Sequence, residues 1–152
     1  MSERPSIFVA AGLRTPFVRV DGPFARRDAL ALSVPVVQAM ARQASGPIDF
    51  AVWGWVVLNL AYSNLAREVW LEAGLDPHVP EYTTIMQCST SMVGAFQAAG
   101  LLSLGPYGLA LVGGVESMFS VSVSPRPGIS PRSFLRRPPG MHRRCRKPCR
   151  SQ

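Results

Sequence analysis

The stretch Val79-Pro80-Glu81-Tyr82-Thr83-Thr84-Ile85-Met86-Gln87-Cys88-Ser89-Thr90-Ser91-Met92 and its continuation to Leu104 decide the fold. Val79, Tyr82, Thr83, Thr84 and Ile85 are β-branched or aromatic, and after Pro80 the run predicts a strand over Glu81–Gln87. From Met92 to Leu104 the run is apolar and long enough for a helix. Cys88 lies at the junction. A thiol facing the first turn of a helix meets unpaired backbone N–H groups and the positive end of the helix dipole, which favour the thiolate, the nucleophilic form. A free cysteine is also a common small core residue, and spacing alone leaves both readings open.

Met92, Val93, Ala95, Phe96, Ala98, Ala99, Leu101 and Leu102 leave this helix no polar face, interrupted only by Gln97 and Ser103. A helix apolar all round is expected to be buried all round. Gly94, Ala95, Ala98 and Ala99 are small enough to let another helix approach closely.

The flanking segments extend the alternation. Ile7, Phe8, Val9 and Ala10 predict a short strand buried on both faces, ended by Gly12. Leu30, Leu32, Val34, Val37, Met40 and Ala44 recur at helical spacing between a cap at Asp28 and a stop at Gly46-Pro47, with Pro35 expected to bend the helix or shift its start. Phe50 to Leu58 predicts a second buried strand with a break or bulge at Gly54. Asn64 is placed to cap a second helix running to Ala73 and closed by Gly74. Leu109 to Val112 predicts a fourth strand after the Cys88 helix. The order β-α-β-α-β-α-β specifies an α/β domain with a largely parallel sheet.

Charge divides the chain in two. Residues 1–121 hold seven arginines and nine acids, net −2, whereas residues 122–152 hold eight arginines, one lysine and no acid, net +9. The overall +7 therefore describes the tail. With six of the fourteen prolines and few aliphatics, residues 122–152 are expected to be disordered. The three cysteines, at 88, 145 and 149, form no even-numbered disulfide framework, so a reducing, cytoplasmic setting is expected. The N-terminus lacks the layout of a signal peptide, and no apolar segment reaches the roughly 20 residues that span a bilayer.

Four stretches in register over this pattern resemble the N-terminal part of the thiolases, acyl-CoA acyltransferases of fatty-acid metabolism that make or break a β-ketoacyl-CoA. They are Arg14-Thr15-Pro16-Phe17, Asn64-Leu65-Ala66-Arg67 with Ala73-Gly74-Leu75, the Cys88 turn, and Gly113-Gly114-Val115-Glu116-Ser117-Met118. The resemblance covers residues 6 to about 120 and implies a thiolase-like N-terminal α/β domain, residues 1–121, that is only part of a subunit. It implies that Cys88 takes an acyl group as a thioester and passes it to coenzyme A or to the enolate of a second acyl-CoA. Acyl-CoA and coenzyme A then enter as substrates, with no resident cofactor or metal.

The family's activating histidine, in a Gly-His-Pro motif, and its second cysteine, in a Cys-x-Gly motif, belong to the other half of such a subunit. Neither motif occurs in this sequence, where the histidines are His78 and His142, and Cys145 and Cys149 are each followed by arginine. The family's Cys-Gly-Ser-Gly is here Cys88-Ser89-Thr90-Ser91, so Thr90 and Ser91 stand in for Ser and Gly. Trp55 stands where a small polar residue is usual. The implied activity is acyl transfer, with the lone chain expected to be inactive; the alternative is a non-enzymatic fragment needing a partner half.

The basic cluster from His142 to Arg150 could meet nucleic acid or an acidic membrane, but only Phe134 offers a stacking ring, so nucleic acid is not the expected partner. His142, Cys145 and Cys149 make three zinc ligands where a structural site takes four. The abrupt change of composition fits a shifted reading frame or premature end better. The resemblance implies that the counterpart of the apolar helix lies in a central layer between two sheets and that one of those layers is absent here, so the chain is expected to associate with another copy or aggregate.

Overall fold

Asp28 opens the first helix by accepting the Ala31 N–H on its Oδ1 at 2.8 Å, as its position before the apolar repeat predicts. The computed structural model describes residues 6–59 and 61–118. Its elements are α1 (Ala29–Gln43), β1 (Phe50–Gly54), α2 (Leu65–Glu72), β2 (Glu81–Thr84), a 3-10 turn (Gln87–Ser89), α3 (Thr90–Leu104) and β3 (Ala110–Gly114). The expected disorder of residues 122–152 lies outside the described residues.

The three strands form a parallel sheet of order β2-β1-β3. From β1 the chain crosses to one side through α2, then returns past β1 to β3 through α3. Right-handed crossovers that reverse direction must place their helices on opposite faces of the sheet. The side chains follow suit: Ala51 and Trp53 of β1 pack with α1 and α2, while Phe50 and Val52 pack with Ala98 of α3. All five β1 residues are therefore buried, which explains an apolar run without alternation. The indole N–H of Trp53 donates to the buried Ser33 hydroxyl at 3.0 Å, and Ser33 donates to Ala29 O at 2.7 Å, so the polar groups within this core are satisfied.

The α/β class holds, with several local corrections. Ile7–Ala10 is not a strand: Val9 is 97% exposed, and the run faces the open edge of β3 across a cleft of about 1300 Å³. A strand needs a hydrogen-bonding neighbour, and none of the described residues supplies one there. The second strand stops at Gly54 instead of bulging, because beyond it the Val56 and Val57 amides turn to the Glu116 carboxylate. The third stops at Thr84, short of Gln87. Pro35 neither shifts the start of α1 nor interrupts it. Its missing N–H frees the carbonyl of Ala31, an exposed position where water can serve it.

Asn64 flanks α2, but its side chain caps nothing. Its amide donates to Glu81 O at 3.1 Å, and the Thr83 hydroxyl caps the helix instead, accepting the Ala66 N–H at 3.0 Å while donating to Asn64 Oδ1 at 2.8 Å. Nor is α3 buried all round. Thr90, Gly94 and Ala98 face the sheet, whereas Met92 is 62% and Phe96 71% exposed. One sheet covers one side of a helix, and the other side is open.

Candidate active site

The carboxyl ends of the three strands converge on the start of α3. A Cβ added at Gly54, the last residue of β1, would stand 2.6 Å from Thr90 Cγ2 and 3.3 Å from the Ser91 backbone N, so only glycine admits this approach. The Ser91 hydroxyl lies closer still over Gly114, the last residue of β3. In open α/β sheets, ligands bind outside the carboxyl ends of strands where the winding direction reverses, and here it reverses at β1.

Cys88 occupies the middle of the 3-10 turn at this end and is an exposed free thiol. The turn is tight. Ser89 N–H donates to Met86 O at 3.0 Å, and Gln87, immediately before the cysteine, has φ +48°, a left-handed conformation that non-glycine residues seldom adopt. The Thr90 hydroxyl accepts the Met86 N–H at 2.8 Å and donates to Gln87 O at 2.6 Å. No sequence signal marks Gln87, since glutamine is not a residue chosen for positive φ.

Glu116 joins the same end of the sheet from the loop after β3. Its carboxylate accepts the Val56 and Val57 amides at 3.3 and 3.1 Å, and Ser117 Oγ donates to Arg27 O at 2.8 Å. The Gly113–Met118 motif thus ties the segment after β1 and the segment before α1 to the end of β3. The Asn64–Arg67 motif works further away, fastening α2 to the start of β2. Trp55 is a core residue, its ring 6.1 Å from that of Tyr62. His78 lies in an exposed loop where its amide donates to Asp76 Oδ1 at 2.9 Å. Arg14 stacks over Phe17 at 4.7 Å within the exposed N-terminal segment, apart from the sheet core.

A family model described as the thiolase N-terminal domain matches residues 7–136. The chain belongs to the thiolase family. A 3-ketoacyl-CoA thiolase of Vibrio cholerae is 35% identical to it over 114 residues, covering 73% of this chain and 26% of that protein. The mitochondrial trifunctional enzyme subunit beta of Bos taurus is 29% identical over 121 residues, covering 78% of this chain and again 26% of its own length. Among solved structures, the acetyl-CoA acetyltransferase of Bacillus anthracis matches with a TM-score of 0.62 and 30% identity, over 65% of this chain and 26% of that one. This thiolase-family chain therefore spans about a quarter of the length of the relatives it matches. Among the described residues no helix is long and apolar enough to cross a membrane.

Proposed function

We propose that the chain carries the acyl-accepting part of an acyl-CoA C-acyltransferase site, with Cys88 as the nucleophile. The observation that carries this reading is an exposed thiol in a constrained turn at the carboxyl ends of a parallel sheet, in a chain matching the thiolase N-terminal domain. The names of its relatives, 3-ketoacyl-CoA thiolase among them, supply the substrate class. In the first step the Cys88 thiolate attacks the carbonyl carbon of the acyl donor. A C–S bond to Cys88 forms as the bond to the leaving group breaks, and the leaving group departs with the electron pair. In the second step the thiolate of coenzyme A, or the enolate of a second acyl-CoA, attacks the thioester and releases Cys88. Coenzyme A is substrate and product here, and a reducing cytoplasmic setting keeps the thiol free.

Turnover needs a base that activates the thiol and a group that moves the α-carbon proton. The sequence offers neither a Gly-His-Pro nor a Cys-x-Gly motif, so the lone chain carries out at most the first step. Their absence also favours the alternative of a non-enzymatic fragment that depends on a partner half. Incubation with acetyl-CoA followed by intact-mass and peptide analysis separates the two. Acyl transfer predicts a slow, stoichiometric adduct on Cys88, lost in Cys88→Ala. No adduct on a thiol that still reacts with iodoacetamide favours the fragment. Multiple turnover of a β-ketoacyl-CoA, abolished by Cys88→Ala, would contradict the incomplete site.

A further inference from the structure

We infer that Thr90 is a positioning residue for Cys88, its hydroxyl acting as a latch that holds Gln87 in the left-handed conformation and so presents the thiol. The inference rests on Cys88 being the nucleophile and adds the device that aims it.

The geometry brackets Gln87 on both sides. One oxygen, Thr90 Oγ, accepts the Met86 N–H, on the peptide between Ile85 and Met86, at 2.8 Å and donates to the Gln87 carbonyl at 2.6 Å, so its two hydrogen bonds span Met86 and Gln87. The Thr90 N–H donates to that carbonyl as well. Gln87 at φ +48° has no conformational preference for this state, so the neighbours must impose it. Thr90 can do so because it is itself fixed: it is 4% exposed, and its methyl lies against Gly54 at the end of β1. Methyl and hydroxyl divide the work, the first anchoring the residue to the sheet and the second closing the turn. Without the hydroxyl, Gln87 relaxes to negative φ, and the peptide plane leading into Cys88 rotates with it.

The test uses the full chain with Cys145→Ser and Cys149→Ser, and two readouts: hydrogen exchange at the Met86 amide, and the rate of Cys88 alkylation by iodoacetamide, native against denatured. Thr90→Val keeps shape and methyl but removes the hydroxyl. It should speed Met86 exchange and change the native alkylation rate by about tenfold, the scale on which small misplacements act. Thr90→Ser, which keeps the hydroxyl and loses the anchoring methyl, should restore both in large part. Adding Gln87→Gly to Thr90→Val should restore alkylation, since glycine accepts positive φ unaided, while Met86 exchange stays fast; loss of packing alone would not be rescued in this way. Alkylation unchanged in Thr90→Val overturns the latch. Should Thr90→Val not fold, Gln87→Val, whose branched side chain resists positive φ, must show the same change with Thr90 intact, and wild-type behaviour there overturns it equally. A wild-type thiol that reacts no faster than in the denatured chain, yet still responds to Thr90→Val, defeats the proposed nucleophile and leaves the latch standing.

Discussion

Arg67 holds Glu81 through a single nitrogen, Nη1, which donates to both carboxylate oxygens at 2.9 and 2.8 Å. The Glu81 side chain is 2% exposed and that of Arg67 35%, so the carboxylate depends on this partner. The same guanidinium donates to Pro77 O at 2.9 Å and to Val79 O at 3.4 Å, fixing the loop that delivers β2. Removing Arg67 leaves the covered carboxylate without its partner, and because the guanidinium itself is about a third open to water the loss is about 1–3 kcal/mol. Arg67→Ala should lower the urea midpoint accordingly. Arg67→Ala with Glu81→Gln should recover part of the loss, and a double variant no more stable than the single one would assign the effect to the loop contacts alone.

Asp49 accepts the Gly108 and Leu109 amides on one oxygen, Oδ2, at 2.7 and 2.9 Å, closing the entry to β3. The Leu109 hydrogen bond, and then that of Gly108, hold its carboxyl below the usual range. A carboxylate depressed on folding contributes stability that is complete above its unfolded value of about 4 and lost as pH falls through the lower folded value. Urea unfolding between pH 5 and pH 2 should therefore show an acid-dependent component at the low end, which is reduced in Asp49→Asn. An identical pH dependence in the two proteins would remove Asp49 from the account.

Gly54→Ala tests the approach of α3 to β1. The new methyl would meet Thr90 Cγ2, a branched and buried group, and the Ser91 amide, which belongs to the helix backbone, so the start of α3 must move. Overpacking of this kind costs about 1–3 kcal/mol. The expected result is a lower urea midpoint together with an altered Cys88 alkylation rate, because Thr90, which the new methyl meets, closes the turn that carries the thiol through its hydroxyl. A destabilised variant with unaltered alkylation would separate the turn from the strand beneath it.

Local chemistry made much of the fold legible. Asp28 and the apolar repeat locate α1 within a residue at its start, and the all-apolar Phe50–Gly54 announces a strand covered on both faces. What escaped depended on partners. Ile7–Ala10 has the composition of a strand, but a ladder belongs to two strands, and composition does not disclose the neighbour. Ile85 and Met86 continue the chemistry of β2, yet the Thr90 hydroxyl captures the Met86 amide and ends the strand. Asn64 has the chemistry of a cap, but its reach to Glu81 O is a tertiary fact. At the site, a thiol at a strand-to-helix junction was readable; Gln87 was not, because its backbone state is imposed by residues three places away and more.

The outer side of α3 governs how the chain behaves in solution. Met92, Phe96, Leu101 and Leu104 are exposed on a helix that carries no charge from Thr90 to Leu104, so water meets apolar side chains and polar Gln97 alone does not offset them. Burial of one such side chain stabilises by roughly 1.5–3 kcal/mol, and several left open forgo a large part of a stability that is normally only about 5–15 kcal/mol. The expected outcome is concentration-dependent association in analytical ultracentrifugation, with binding of a dye that reports exposed apolar surface. Phe96→Gln with Leu104→Gln should lower both, since these positions bury little within the chain and their replacement removes the drive to associate without opening the core. A compact monomer that binds no dye before substitution would mean that another part of the 152 residues covers this side of the helix, and association undiminished by the two substitutions would place the contact elsewhere.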